Sequence, residues 1–249
     1  MRLPVTSDLA RKAFAEFLGT ALLLATVIGS GIAAQRLSPN DVGLQLLENA
    51  VVTGAGLVAL ILALGPVSAA FNPVVTLVER ALGAITTGQA AVFIGAQLAG
   101  GALGAVVANL MFELPAVSIS THHRASGALW LGELVATFGL VVVIFGVVRA
   151  GKASAVAFAV GAYITAAYWF TSSTSFANPA AAFARMLSDS FAGIAPSSVP
   201  AFVLAEVVGA GLALAAVLVL YPSAANLAGD LTHLDSLHGD VSPTQENAR

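Results

Sequence analysis

The chain has 249 residues, 58% hydrophobic and only 9% charged, with a net charge of −3 and a mean hydropathy of +0.91. Soluble domains carry roughly 25% charged residues, so this is the composition of a membrane protein. There is no basic surplus to hold nucleic acid, and the absence of cysteine removes disulfides, thiolate metal sites and thiol nucleophiles.

A spanning helix needs about 20 mostly apolar residues. The first such stretch, 9–34, is too long for the apolar core of a cleavable signal peptide, roughly 7–15 residues. It contains Glu16-Phe17-Leu18-Gly19-Thr20. The second stretch is 44–64. Residues 65–83 follow, apolar but interrupted by Pro66 and Pro73, so they cannot be one continuous span. Within them Phe71-Asn72-Pro73-Val74-Val75 reads as a helix start, because asparagine is a strong N-cap and proline suits the first helical position. The third span is 88–112, the fourth 128–148 and the fifth 153–170. Residues 171–193 repeat the earlier pattern around Phe176-Ala177-Asn178-Pro179-Ala180. The sixth span is 199–220, and 224–249 reads as a polar, disordered cytoplasmic tail.

Both interrupted segments read as re-entrant: a loop going in and a half-helix coming out. Irregular backbone at membrane depth is tolerated only where it is buried in protein or lines a watery cavity. Glu133-Leu134-Val135-Ala136-Thr137 in the fourth span repeats the pattern that opens at Glu16. With three spans per half, the repeats 9–112 and 128–221 must lie inverted, an architecture that places a site at the midplane. The expected fold is therefore an all-α membrane protein, with six transmembrane helices and two re-entrant half-helices in one channel domain over 1–223. Arg2, Arg11, Lys12, Arg80, Arg149, Lys152 and Arg249 fall on one side, and Arg36, Arg124 and Arg185 on the other. The positive-inside rule then puts both termini in the cytoplasm.

Asn72 and Asn178 are the leading pore residues, each able to cap its half-helix and donate to a passing solute. Two half-helix N-termini meeting at mid-membrane present positive ends that repel cations. Glu16 and Glu133 lie inside spans, where an ionised side chain costs at least ~2.5 kcal/mol unless partnered. The choice is between supporting the re-entrant loops and relaying protons, and no buried histidine accompanies them: His122, His123, His233 and His238 all sit in polar segments. His122-His123-Arg124 reads as a solvated loop cluster. Glu48 and Glu206 carry no role beyond helix-end or partner-facing charge. Gly19, Gly100, Gly101 and Gly104 read as helix crossings. Trp130, Tyr168 and Trp169 read as interface or packing residues.

The glutamate patterns, the two Asn-Pro boxes, Val75-Thr76 and Ala96-Gln97-Leu98-Ala99-Gly100-Gly101 together resemble the major intrinsic proteins, the aquaporins and aquaglyceroporins. The resemblance covers roughly residues 9–221. Residues 163–180 and 188–202 further resemble bacterial members associated with arsenic resistance. The resemblance implies a homotetramer in the bacterial inner membrane, with one pore per subunit and no cofactor. It assigns pore roles to Asn72, Pro73, Val74, Asn178, Pro179 and Ala180. It gives Glu16 and Glu133 the task of holding the loop amides, so that loop carbonyls line the pore.

The chain departs from the family pattern at three places. Ala181 stands where the family usually has an arginine that narrows the pore and repels cations, and Arg185, about 6 Å further along the helix, is expected not to replace it. The first box carries Val74 where alanine is usual. The approach Ser68-Ala69-Ala70-Phe71 is one residue short and lacks a histidine. Counting from the anchors gives the filter as Thr53, Ala166 (or Thr165), Ser175 (or Thr174) and Ala181: a small, weakly polar ring. The expected function is a passive channel for water and small neutral solutes, including glycerol-like molecules and metalloid acids such as arsenite or methylated arsenicals. A secondary active transporter and a narrower water channel are the alternatives. An enzyme is excluded by the missing catalytic groups.

Overall fold

A computed structural model describes residues 7–221. The proposed tail 224–249 lies outside the described residues, as do His233 and His238. The elements in chain order are α1 (Asp8–Leu37), α2 (Val42–Leu64), α3 (Pro73–Ala81), α4 (Thr87–Met111), α5 (Gly127–Arg149), α6 (Val156–Phe170), α7 (Pro179–Arg185) and α8 (Val199–Leu220). Six are long and apolar enough to cross a membrane. α3 and α7, with 9 and 7 residues, are too short to do so. The order long, long, short, long occurs twice.

Local chemistry sets the ends. Ser7, Asp41, Thr86 and Ser126 cap α1, α2, α4 and α5 through side-chain oxygens. Thr86 and Gln89 form a reciprocal capping box. Asn72 and Asn178 cap the two short helices, and Pro73 and Pro179 follow at the first helical position.

The two halves pack alike, α1 against α4 and α5 against α8. A Cβ at Gly100 would overlap the carbonyl of Phe17, and one at Gly104 that of Ala21. Gly209 on α8 stands in the same relation to Leu134 on α5. α2 and α6 meet at Gly54 and Gly161, where an added Cβ on either would press within 2.9 Å of the other's carbonyl. Gly19 differs from its expected role. The ring of Phe71, not a crossing helix, occupies the space its side chain would need.

Outward faces of the long helices expose Phe14, Leu131, Phe158 and Leu204. That apolar exterior suits a surrounding of hydrocarbon. An odd number of spans separates the two half-helices, so α3 returns to the face bearing residues 8 and 221 (the terminal face) and α7 to the opposite, far face.

Candidate pore

The two re-entrant loops are tied to each other where they meet. Asn72 Nδ2 donates to the carbonyl of Ala177 at 2.7 Å, and Asn178 Nδ2 donates to that of Phe71 at 2.8 Å. Asn72 Oδ1 accepts from Val74 N at 3.1 Å, and Asn178 Oδ1 accepts from Ala180 N and Ala181 N at 3.0 and 3.3 Å. A carboxamide NH2 has two donors. One fixes the opposite loop, the other has no partner among the described residues, and both asparagines line one cavity.

Glutamates hold each loop from behind. Glu16 accepts from Ala70 N at 2.9 Å, Phe71 N at 2.8 Å, and the Ser68 hydroxyl. Glu133 accepts from Phe176 N at 2.9 Å and Ala177 N at 2.7 Å. Both glutamates are fully buried. In a planar trans peptide the carbonyl points opposite to the N–H. Turning these amides toward glutamate therefore turns the carbonyls of Ala69, Ala70, Ser175 and Phe176 the other way, and all four residues line the cavity.

Two further buried residues, to which the sequence alone assigns no part in it, complete this support. Gln97 donates to Glu16 at 2.8 Å and to Thr76 at 2.9 Å. Glu206 accepts from Asn178 N at 2.9 Å, so it is part of the loop anchor and not a helix-end charge. The signal was present: Ala96-Gln97-Leu98-Ala99-Gly100 and Ala205-Glu206-Val207-Val208-Gly209 are matching patterns in the third span of each half.

A cavity of about 680 Å³ runs past the asparagine pair. Thr53, Ser175 and Ala181 line it; Ala166 does not. α6 offers the cavity Val156, Val160, Ile164 and Tyr168, a stripe spaced four residues apart. Ala166 lies two residues off that stripe, on the exposed opposite face. Thr165, the other option, donates to the Gly161 carbonyl at 2.8 Å beside α2. Tyr168 takes the expected place of Ala166. It is buried, and its hydroxyl lies 3.2 Å from the Thr53 hydroxyl. Val74, Pro73, Pro179 and Ala180 stand behind the lining; Val74 belongs to a buried apolar cluster with Val141, Phe145 and Ala213.

Arg185 reaches the same cavity. It is 3% exposed and lines the cavity, its guanidinium carbon 3.4 Å from the centroid of the Phe176 ring and its Nε donating to the Ala192 carbonyl. The Arg124 guanidinium lies 5.1 Å from the same ring and donates to Gly193 and Phe191 carbonyls at 3.0 and 3.5 Å. Arg124 is thus a buttress of the far face, although His122 and His123 beside it are exposed. Burial lowers its pKa from the usual arginine value.

No group of three or more metal-ligating side chains occurs among the described residues. Paired half-helices, carboxylates serving as loop anchors and a lined cavity through an inverted repeat define a membrane channel. Residues 4–155 match the family model described as Major intrinsic protein. The chain is 50% identical over 209 residues to Aquaglyceroporin AqpS of Rhizobium meliloti (strain 1021), covering 84% of this chain and 89% of the relative. It is 30% identical over 161 residues to Aquaporin NIP1-1 of Arabidopsis thaliana, covering 61% and 53%. The fold matches the X-ray structure of the aquaglyceroporin from Plasmodium falciparum with a TM-score of 0.67 at 19% identity, over 87% of this chain and 98% of that one. The chain belongs to the major intrinsic protein family. It is a passive membrane channel for water and small solutes, and not an enzyme.

Proposed function

We propose that this channel passes neutral, oxygen-bearing solutes larger than water: glycerol-like polyols and protonated metalloid acids such as arsenite or methylated arsenicals. The observation that carries the reading is the small ring at the level beyond the asparagines, where Thr53, Ser175 and Ala181 face the cavity. The alanine side chain at 181 neither narrows the passage nor donates a hydrogen bond. The Asn72 and Asn178 amides and the loop carbonyls supply donors and acceptors that exchange for a solute's hydration shell. The similarity to a protein named an aquaglyceroporin supports the polyol part.

Tyr168 favours a second reading, a narrower water channel, because its ring stands in the same ring of residues. A permeability panel on proteoliposomes separates the two. The wide reading expects glycerol, arsenite and methylated arsenicals to cross faster than through empty liposomes; water flux alone establishes the narrow one.

The functional assembly under this proposal is a homotetramer in a bacterial cytoplasmic membrane, both termini in the cytoplasm. Arg11, Lys12, Arg80, Arg149 and Lys152 gather toward the terminal face, and that excess supports the orientation.

A further inference from the structure

Three charged residues line the cavity: Lys12, Glu79 and Arg185. Lys12 is paired with Asp8, 3.0 Å away on the same helix, a carboxylate it shares with Arg11. The other two are not. Arg185 has five N–H donors, and only Nε meets an acceptor among the described residues, the Ala192 carbonyl. Among the described residues no carboxylate lies within 4 Å of it, and the face of Phe176 is its other partner. The Glu79 carboxyl, half-buried on α3, accepts no hydrogen bond and forms no ion pair with any described residue. The buried glutamates nearby do not change this, because Glu16, Glu133 and Glu206 are engaged by the re-entrant loops.

The positions of these two charges are related. Each is the seventh residue after its pore asparagine, Glu79 after Asn72 and Arg185 after Asn178. The half-helices run from the midplane to opposite faces, so the inverted repeat sets a carboxylate on the terminal side of the asparagine pair and a guanidinium on the far side. A cation meets repulsion at Arg185, and an anion meets it at Glu79. A neutral solute meets neither, and gains a guanidinium donor on one side and a carboxylate acceptor on the other.

We infer that Glu79 and Arg185 are a pair of specificity-determining charges, in series along the pore, that together exclude ions of both signs and let the passage stay wide. This rests on the neutral-solute reading and gives its physical cause. A wide passage cannot reject ions by size, so a charge barrier in the low-dielectric channel must do so.

The test uses full-length protein in proteoliposomes, with potassium and nitrate as probe ions and glycerol as the neutral solute. Wild type is expected to pass glycerol and neither ion. Arg185→Met should raise potassium flux about tenfold, because a unit charge in the pore wall is removed, with nitrate flux unchanged. Glu79→Gln should do the reverse, raising nitrate about tenfold and leaving potassium unchanged. Arg185→Lys should remain tight to potassium. The selectivity of each leak shows that the pore is otherwise intact. Ion fluxes equal to wild type in both variants, or leaks of both signs in either, would overturn the pairing. If Arg185→Met does not assemble, Glu79→Gln decides alone, since its side chain holds nothing in place. Glycerol flux in wild type is read separately: its absence sinks the neutral-solute reading and this inference with it. An unaltered ion profile beside intact glycerol flux sinks this inference only.

Discussion

Phe71 and Ala177, each just before a pore asparagine, sit at φ 48°. That left-handed conformation costs a non-glycine residue about 1–2 kcal/mol. It is held because each carbonyl accepts from the opposite asparagine and each amide donates to a buried glutamate. Phe71 is fixed further by its ring, which fills the notch at Gly19. Gly19→Ala should therefore displace that ring and destabilise the protein by about 1–3 kcal/mol, the usual cost of overpacking. Thermal unfolding in detergent measures this, and an unchanged midpoint would mean the notch is not needed. Ala181→Arg tests the ring at the same scale. Permeation of bulky solutes should fall more than permeation of water; equal loss, or none, would count against a wide passage.

At the scale of elements, three successive amides of the second loop are shared by two carboxylates, 176 and 177 by Glu133 and 178 by Glu206. Both Glu133 oxygens are used, whereas one Glu206 oxygen has no partner among the described residues. Glu133→Gln must present an NH2 to one amide, and should cost about 1–3 kcal/mol for an unsatisfied buried donor. Glu206→Gln can keep its oxygen on Asn178 and should be the milder change. The ranking is checked by unfolding in detergent; a Glu206 variant worse than the Glu133 variant would reverse the assignment. The far-face loop behaves as a separate element. Asp189 accepts from Thr121 N at 2.9 Å and from its hydroxyl at 3.1 Å. The Thr121 backbone bond, with its hydroxyl bond and His122, holds the Asp189 carboxyl below its ordinary value of 3.8. A depressed carboxyl pKa stabilises above the unfolded value and loses that contribution as pH falls through the folded one. Amide exchange at Thr121, corrected for the intrinsic pH dependence, should lose protection only below about pH 4. Asp189→Asn should remove this pH dependence.

At the scale of the whole molecule, the six spans, the two half-helices and the inverted repeat were legible because hydropathy, proline and asparagine each carry local signals. The cavity lining was only partly so. Thr53, Ser175 and Ala181 were placed by counting from Asn72 and Asn178, and they line the cavity. The same counting gave Ala166, which faces outward, because the phase of α6 is set by its packing on α2 at Gly161 and not by distance from an anchor. Tyr168 was read as a packing aromatic for the same reason. An axial rise of about 6 Å separates Arg185 from the family's arginine position, and it does not give the reach of a long side chain, which here lies across Phe176. Glu206 was hidden because its partner, Asn178 N, belongs to a loop whose path no local pattern specifies.

The proposed channel is a passive route for neutral solutes along the cavity between the half-helices. Stopped-flow light scattering on proteoliposomes under a glycerol gradient tests it most directly. Glycerol entry should be well above that of empty liposomes, and equal with and without sodium or proton gradients. No increase over empty liposomes, or uptake that requires an ion gradient, would contradict it.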